Sequence, residues 1–164
     1  MPSSRKKVIV RKLSRDWLAG YLPPAGFVHR GQIEILDLGG KVVALSLDDL
    51  KWICFVRDFN SGEPDNPERL LRKSFAGRPR SEGVWLRLRL TDADLIEGLA
   101  TNDLALLDPD GIFLTPPDIR SNTQRIFVPR PAIAELTFIA VIASPARRKA
   151  AEVPAQEDLF RGSE

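Results

Sequence analysis

Cys54 and His29 are the only cysteine and the only histidine in 164 residues. A single thiol cannot close an internal disulfide, and one His with one Cys falls short of a zinc tetrahedron, so no metal site is expected. Aromatics are scarce, at 7%, so a core must rest on Leu, Ile and Val. No apolar run approaches the ~20 residues needed to span a bilayer, so no membrane contact is expected. The basic start, Met1 to Lys7, runs into a β-like stretch and not an apolar signal core. The cytoplasm is the expected compartment. No nucleophile elbow, phosphate loop, zinc-protease helix or dinucleotide fingerprint occurs. Among the 22 carboxylates no pair stands out by spacing as an acid and a base. No catalytic residue and no cofactor are expected. His29, beside Val28 and Arg30 in a Gly-flanked loop, reads as a surface residue. Cys54, inside Trp52-Ile53-Cys54-Phe55-Val56, reads as a small core or sheet residue.

The chain is 43% hydrophobic and 28% charged, with a net charge of +2, the profile of an ordinary globular protein. The charge is uneven. Residues 1–15 hold six Lys/Arg and no acid, and basic clusters recur at 69–73, 78–80 and 147–149. Clusters of this kind attract phosphates, but with so small a net charge they read as solvated surface and tails.

An internal repeat organises the rest. Val8-Ile9-Val10 through Asp16 to Gly20 aligns with Leu86-Arg87-Leu88 through Asp94 to Gly98, every pair being 78 positions apart. Both copies read as an alternating strand, a polar turn, a second apolar stretch and a glycine. Later, Val43-Ala44-Leu45 with Leu50, Ile53 and Val56 matches Ile126-Phe127-Val128 with Ile133, Leu136 and Ile139, now 83 positions on. That pattern suits a strand, one 3₁₀ turn and a last strand. The two offsets differ by five, which places a five-residue insertion in the second copy, expected within 115–125. The first copy turns tightly there, through Leu38-Gly39-Gly40-Lys41. Period-two alternation also puts Val10 and Leu88 inside and Arg87 and Arg89 in solvent.

The expected layout is 7–56 as a first unit, 57–83 as a linker, 84–142 as a second unit and 143–164 as a disordered tail. Within the linker, Asn66 to Lys73 reads as a short helix, with Asn66 capping it and Pro67 at its first position.

Five short strands with a 3₁₀ turn before the last would close into an SH3-type barrel. With Leu86, Leu88, Leu90, Gly98, Asp103 and Ile126-Phe127-Val128 followed by Ile133, the second copy resembles the Sm-like fold, over about fifty-five residues. The first copy resembles it less closely. The resemblance implies an all-β chain of two tandem small Sm/SH3-like barrels joined by a linker with a short helix. It does not carry over the family's uridine-binding site. Leu106 and Leu107 stand where the Asn of that site would fall, and Pro129-Arg130-Pro131 replaces its basic-Gly pair. The whole chain also resembles a family of uncharacterised bacterial proteins.

Recognition is expected on the long loop 115–125, where Arg120, Asn122, Gln124 and Arg125 offer donors suited to phosphate, carboxylate or base edges. The tail residues Gln156, Leu159 and Phe160 resemble the Gln-x-x-Leu-Phe peptides that dock on the bacterial sliding clamp. Trp17, Trp52 and Trp85 lie in apolar segments and read as structural, so any nucleic-acid binding is expected to be weak, sequence-tolerant and salt-dependent. The function expected is therefore a non-enzymatic binding or scaffolding module, a nucleic-acid or protein adaptor. Homo-oligomerisation is left open. The alternative is a nucleotide-sensing domain of the PilZ type, suggested by the Arg11/Arg15 spacing. Against it, Asp37-Leu38-Gly39-Gly40-Lys41 lacks the Ser and the final Gly of that motif.

Overall fold

The computed structural model describes residues 4–59, 73–118 and 121–143. They form eleven strands in chain order: β1 Lys6–Lys12, β2 Trp17–Leu22, β3 Val28–His29, β4 Gln32–Asp37, β5 Val42–Ser46, β6 Leu50–Val56, β7 Gly83–Leu90, β8 Leu95–Ala100, β9 Gly111–Leu114, β10 Thr123–Pro129 and β11 Ile133–Ile142. Short 3₁₀ turns lie at Leu47–Asp49, Leu104–Leu107 and Arg130–Ala132, and no α-helix occurs among the described residues. The protein is all-β. None of the described residues forms a helix long and apolar enough to cross a membrane. Of the helix expected at 66–73, all but Lys73 lies outside the described residues, as does the tail from 144 onwards.

Strand alternation divides the apolar residues between two cores. In β1, Val8 and Val10 point into one and Ile9 into the other, and all three are buried. The strand has apolar cover on both faces, so its central residues read as a continuous apolar run. β6 behaves likewise: Ile53 and Phe55 join the core of Val8 and Val10, while Trp52, Cys54 and Val56 join that of Ile9. In β7 only one face is covered. Leu86, Leu88 and Leu90 are fully buried, whereas the Arg87 and Arg89 side chains remain about half exposed. Buried Glu97 accepts from Trp85 Nε1 at 2.6 Å. Trp52 is buried, and Trp17 is 38% exposed.

The two halves of the chain pair their strands in matching registers. Val8 faces Gly20 across β1–β2, and Leu86 faces Gly98 across β7–β8, each residue 78 positions on. The turns match as well. Arg15 and Ala93, both with positive φ, occupy the same place, and in each turn the first residue's amide donates to the last residue's carbonyl at 2.8 Å. β4 with β5 corresponds to β9 with β10: Gln32 faces Ser46, and Gly111 faces Pro129. β6 leaves β1 through a bulge between Arg11 and Lys12, and β11 leaves β7 through one opposite Arg89 and Leu90, the equivalent positions. Gln32 and Gly111 are 79 apart, and Ser46 and Pro129 are 83 apart. Four extra residues therefore fall between β9 and β10, not the five expected. The fifth lies between β8 and β9, where the 3₁₀ turn Leu104–Leu107 stands in place of β3.

Glycine is required where β2 crosses β4 and where β8 crosses β9. A Cβ on Gly20 would lie 2.5 Å from the Leu36 carbonyl oxygen, and one on Gly98 would lie 2.8 Å from Leu114 Cβ.

Two separate barrels are not what the hydrogen bonding builds. The strands make an eight-stranded sheet, β3-β4-β2-β1-β6-β10-β9 with β5 on β4, and a three-stranded sheet, β11-β7-β8. Neither sheet closes on itself among the described residues. The reason is β10, which keeps β9 on one edge and pairs antiparallel with β6 of the other half on its second edge, with Ile126 opposite Cys54 and Phe127 opposite Ile53. Phe113 and Phe127 then pack against Phe27, with ring centroids 5.9 and 5.2 Å away. A strand edge that would face water in an isolated unit is satisfied by the neighbouring half.

Because Leu88 is fully buried and Arg87 is not, Leu88→Ala is expected to cost about 2–4 kcal/mol in urea unfolding. Arg87→Ala is expected to cost less than about 1 kcal/mol. Equal losses would place the wrong face of β7 inside.

Candidate functional site

The long β9–β10 connection is the expected place for recognition, and the structure separates its four candidate residues. Arg120 lies outside the described residues. Asn122 is occupied with the backbone: its Nδ2 donates to the Asp58 carbonyl at 2.8 Å, and its Oδ1 accepts from the Asp58 amide at 3.0 Å. The Arg57 amide also donates to the Asn122 carbonyl, at 2.9 Å. Asn122 therefore fastens the loop to the end of β6 and is not a free donor. Ser121, buried beside it, donates from Oγ to the Thr123 carbonyl at 3.0 Å. Gln124 is exposed on β10.

Arg125 is placed differently. Its guanidinium carbon sits 4.0 Å from the centroid of Phe113 and 5.8 Å from that of Phe55. Partial burial against these rings lowers its pKa below the ordinary arginine value, although the residue as a whole is exposed. An Arg remains charged under such a shift. No carboxylate pairs with it among the described residues, so the rings orient a cation whose outward donors are open.

Arg125 also forms part of the wall of a shallow cleft of about 160 Å³. The cleft runs between the end of β8 (Leu99, Thr101), the 3₁₀ turn (Ala105, Leu106) and β9 (Ile112, Leu114). The turn is built by its cap. Asp103 Oδ1 accepts from the Ala105 amide at 2.8 Å and from Thr101 Oγ1 at 3.1 Å. Arg130 holds the other end through Nε to the Asp108 carbonyl at 2.8 Å and Nη2 to the Leu106 carbonyl. So held, the turn leaves Leu104 and Leu107 outside, 82% and 76% exposed. Asp103 is thus a capping residue. Sequence reasoning did not find this cleft. The available signal was Phe113 flanked by Ile112 and Leu114, which places one ring on the opposite side of β9 from its neighbours.

A second charged group joins the halves. Lys51 Nζ lies 2.8 Å from Asp92 and 2.9 Å from Asp94, and Lys73 Nζ lies 2.8 Å from Asp94. Lys51 also sits 4.5 Å from the centroid of Trp52. Burial alone would raise both aspartates, but the hydrogen bonds and charge of the lysines outweigh it and hold them below the usual carboxylate range. For Lys51, burial works downward, and the two aspartates outweigh it and raise its pKa. With every charge matched, the cluster is a clamp and not a binding site.

The remaining candidates add no chemistry. His29 is exposed and Cys54 is buried and unbridged. Among the described residues no three His, Cys, Asp or Glu side chains gather as a metal site. Arg11 Nη1 donates to the Arg15 carbonyl at 2.9 Å, a bond within the β1–β2 turn. Gln156, Leu159 and Phe160 lie outside the described residues.

The chain belongs to the Family of unknown function (DUF6982), which matches residues 4–140. No curated protein and no solved structure matches it.

The clamp makes a test of pH dependence. Asp92 and Asp94 titrate lower in the folded chain, so their stabilisation is complete above the unfolded aspartate pKa, about 3.9. It is lost as pH falls through the depressed folded values. Asp94→Asn is expected to flatten the acid limb of urea midpoint against pH. An acid limb identical to that of the unaltered protein would remove the cluster from the forces joining the halves.

Proposed function

We propose that the chain is a non-enzymatic binding module that takes a protein segment presenting a carboxylate beside an apolar side chain. The observation that carries this reading is Arg125, stacked on Phe113 with no carboxylate partner among the described residues, in the wall of an apolar cleft. A guanidinium of this kind can grip a carboxylate through two parallel N–H bonds. Leu104 and Leu107, exposed on the adjoining turn, offer further apolar surface.

Between the two adaptor readings, charge balance favours a protein partner over a nucleic acid. On β6 and β7 the cations Lys51, Arg87 and Arg89 are each matched by a carboxylate, in Asp92, Glu97 and Glu135. A polyphosphate backbone calls for a run of unmatched cations. The nucleotide-sensing reading rests on Arg11 and Arg15, and the bond between them within their own turn lends it no support.

Each half of the chain reads, on this proposal, as an incomplete barrel of the Sm/SH3 kind, and the pair as a duplication. The matching registers and the 3₁₀ turn before the last strand of each half support this. The cytoplasm is the compartment proposed, with Cys54 buried and unbridged.

The test is a selection from a displayed random-peptide library, run beside a salt series with poly-uridine RNA, single- and double-stranded DNA and cyclic dinucleotides. Enrichment of peptides with Asp or Glu next to Leu, Ile or Phe is expected. Their affinity should fall about tenfold or more in Arg125→Ala, the loss of a charged hydrogen-bonding pair. Arg125→Lys should recover only part of it, because a lysine lacks the planar fork. Steeply salt-dependent nucleic-acid binding without peptide enrichment would overturn the protein reading. Peptide binding indifferent to Arg125 would move the site elsewhere.

A further inference from the structure

The cleft beside Arg125 adjoins the place where the described chain ends. A groove of about 440 Å³ is lined by Val141, Ile142 and Ala143 at the end of β11, by Gly83, and by Thr101 and Asn102 beyond β8. Thr101 also lines the Arg125 cleft, so the two recesses meet at that residue. The registers explain the closeness. Ile142 faces Gly83 and Val84 faces Ala100, which puts the ends of β11 and β8 two strand spacings apart, about 10 Å.

The sequence that follows Ala143 carries the chemistry this cleft suits. Glu157-Asp158-Leu159-Phe160 sets two carboxylates directly before two large apolar side chains. Residues 150–160 hold three carboxylates and no Lys or Arg, so their charge complements Arg125. Phe160 is 17 residues beyond Ala143, and an extended chain of that length reaches up to about 55 Å. That is several times the separation of the two strand ends.

We propose that residues 157–160 follow the groove back and occupy the Arg125 cleft of their own chain, as a tethered competitor for outside protein segments. The proposal rests on the reading of the cleft as a site for a carboxylate beside an apolar side chain. Side chains two apart in an extended segment lie on one side, so Asp158 and Phe160 project together. Asp158 supplies Arg125 with the carboxylate partner it lacks among the described residues. Phe160 enters the apolar recess between Leu106, Ile112 and Leu114, which at about 160 Å³ has room for one large side chain. Tethering makes a weak contact sufficient, because a short link holds the segment at an effective concentration of about 1 mM. An outside segment then binds only by displacing the tail.

A synthetic peptide of residues 152–163, titrated against the full chain, tests the proposal. The chain carrying Leu159→Ser and Phe160→Ser should bind it about threefold or more tightly than the unaltered chain, whose cleft is already filled. Adding Arg125→Ala to that variant should abolish the binding. A nitroxide on Gly162→Cys gives a second readout, since the native thiol, Cys54, is buried. It should broaden the amide signals of Thr101, Ala105 and Phe113, and Phe160→Ser should restore them. Equal peptide affinity in the unaltered and tail-altered chains would overturn the tail contact. Library peptides that need Arg125, alongside a label that leaves these amides sharp, would overturn it too while keeping the binding module. Broadening that survives Arg125→Ala would overturn both readings. Broadening that fades on dilution would place the tail on a second copy and overturn the contact within one chain.

Discussion

β6 is hydrogen-bonded to β1 on one edge and to β10 on the other, and its two faces look into different cores. Every residue from Trp52 to Val56 is buried in consequence. This double engagement explains why the halves are not free modules. Taking β10 away from β6 would expose the unpaired edge of β6 and also withdraw Phe127 from Phe27, and so empty part of the first half's core. The Lys51 clamp reinforces the same joint from the side. Apolar burial and backbone pairing hold the joint more strongly than the clamp does, since a partly exposed ion pair contributes about 1 kcal/mol or less.

The candidate site depends on that joint. Arg125 lies opposite Phe55 in the β6–β10 register, and Phe113 reaches the same ring cluster from β9. The guanidinium is held over two rings contributed by different halves. The nearer ring, Phe113, comes from Arg125's own half, and Phe55 of the first half adds the second at 5.8 Å. The cleft beside it, by contrast, belongs to the second half, where the 3₁₀ turn replaces the short β3 of the first. The site thus combines a pair of rings supplied by both halves with a connection in which a 3₁₀ turn takes the place of β3.

Much of the strand pairing is legible in the sequence, and the reason is local. The 78-residue spacing from Gly20 to Gly98 reproduces the actual registers because alternation fixes the face and the turn fixes the slip. Leu88 and Arg87 fall on opposite faces for the same reason. What the sequence does not reveal is the partner of each outer edge. The backbone groups of β6 carry no residue-specific label, so nothing local distinguishes closure within one unit from pairing with β10. The expectation of two separate barrels fails on that point. The expectation for Asn122 fails in a related way. Its donors are visible in the sequence, but the Asp58 backbone that satisfies them is 64 residues away.

The same asymmetry separates edges that are finished from edges that are not. Where β10 meets β6, an arginine and three aromatic rings cover the strands, and Phe55 is almost fully withdrawn from water. At β5 and β11 the side chains are mostly aliphatic, and Phe138 is uncovered. One pattern repeated twice in a chain therefore yields two unlike edges, because in a linear chain of two units only the edges at the joint meet, through β6 and β10.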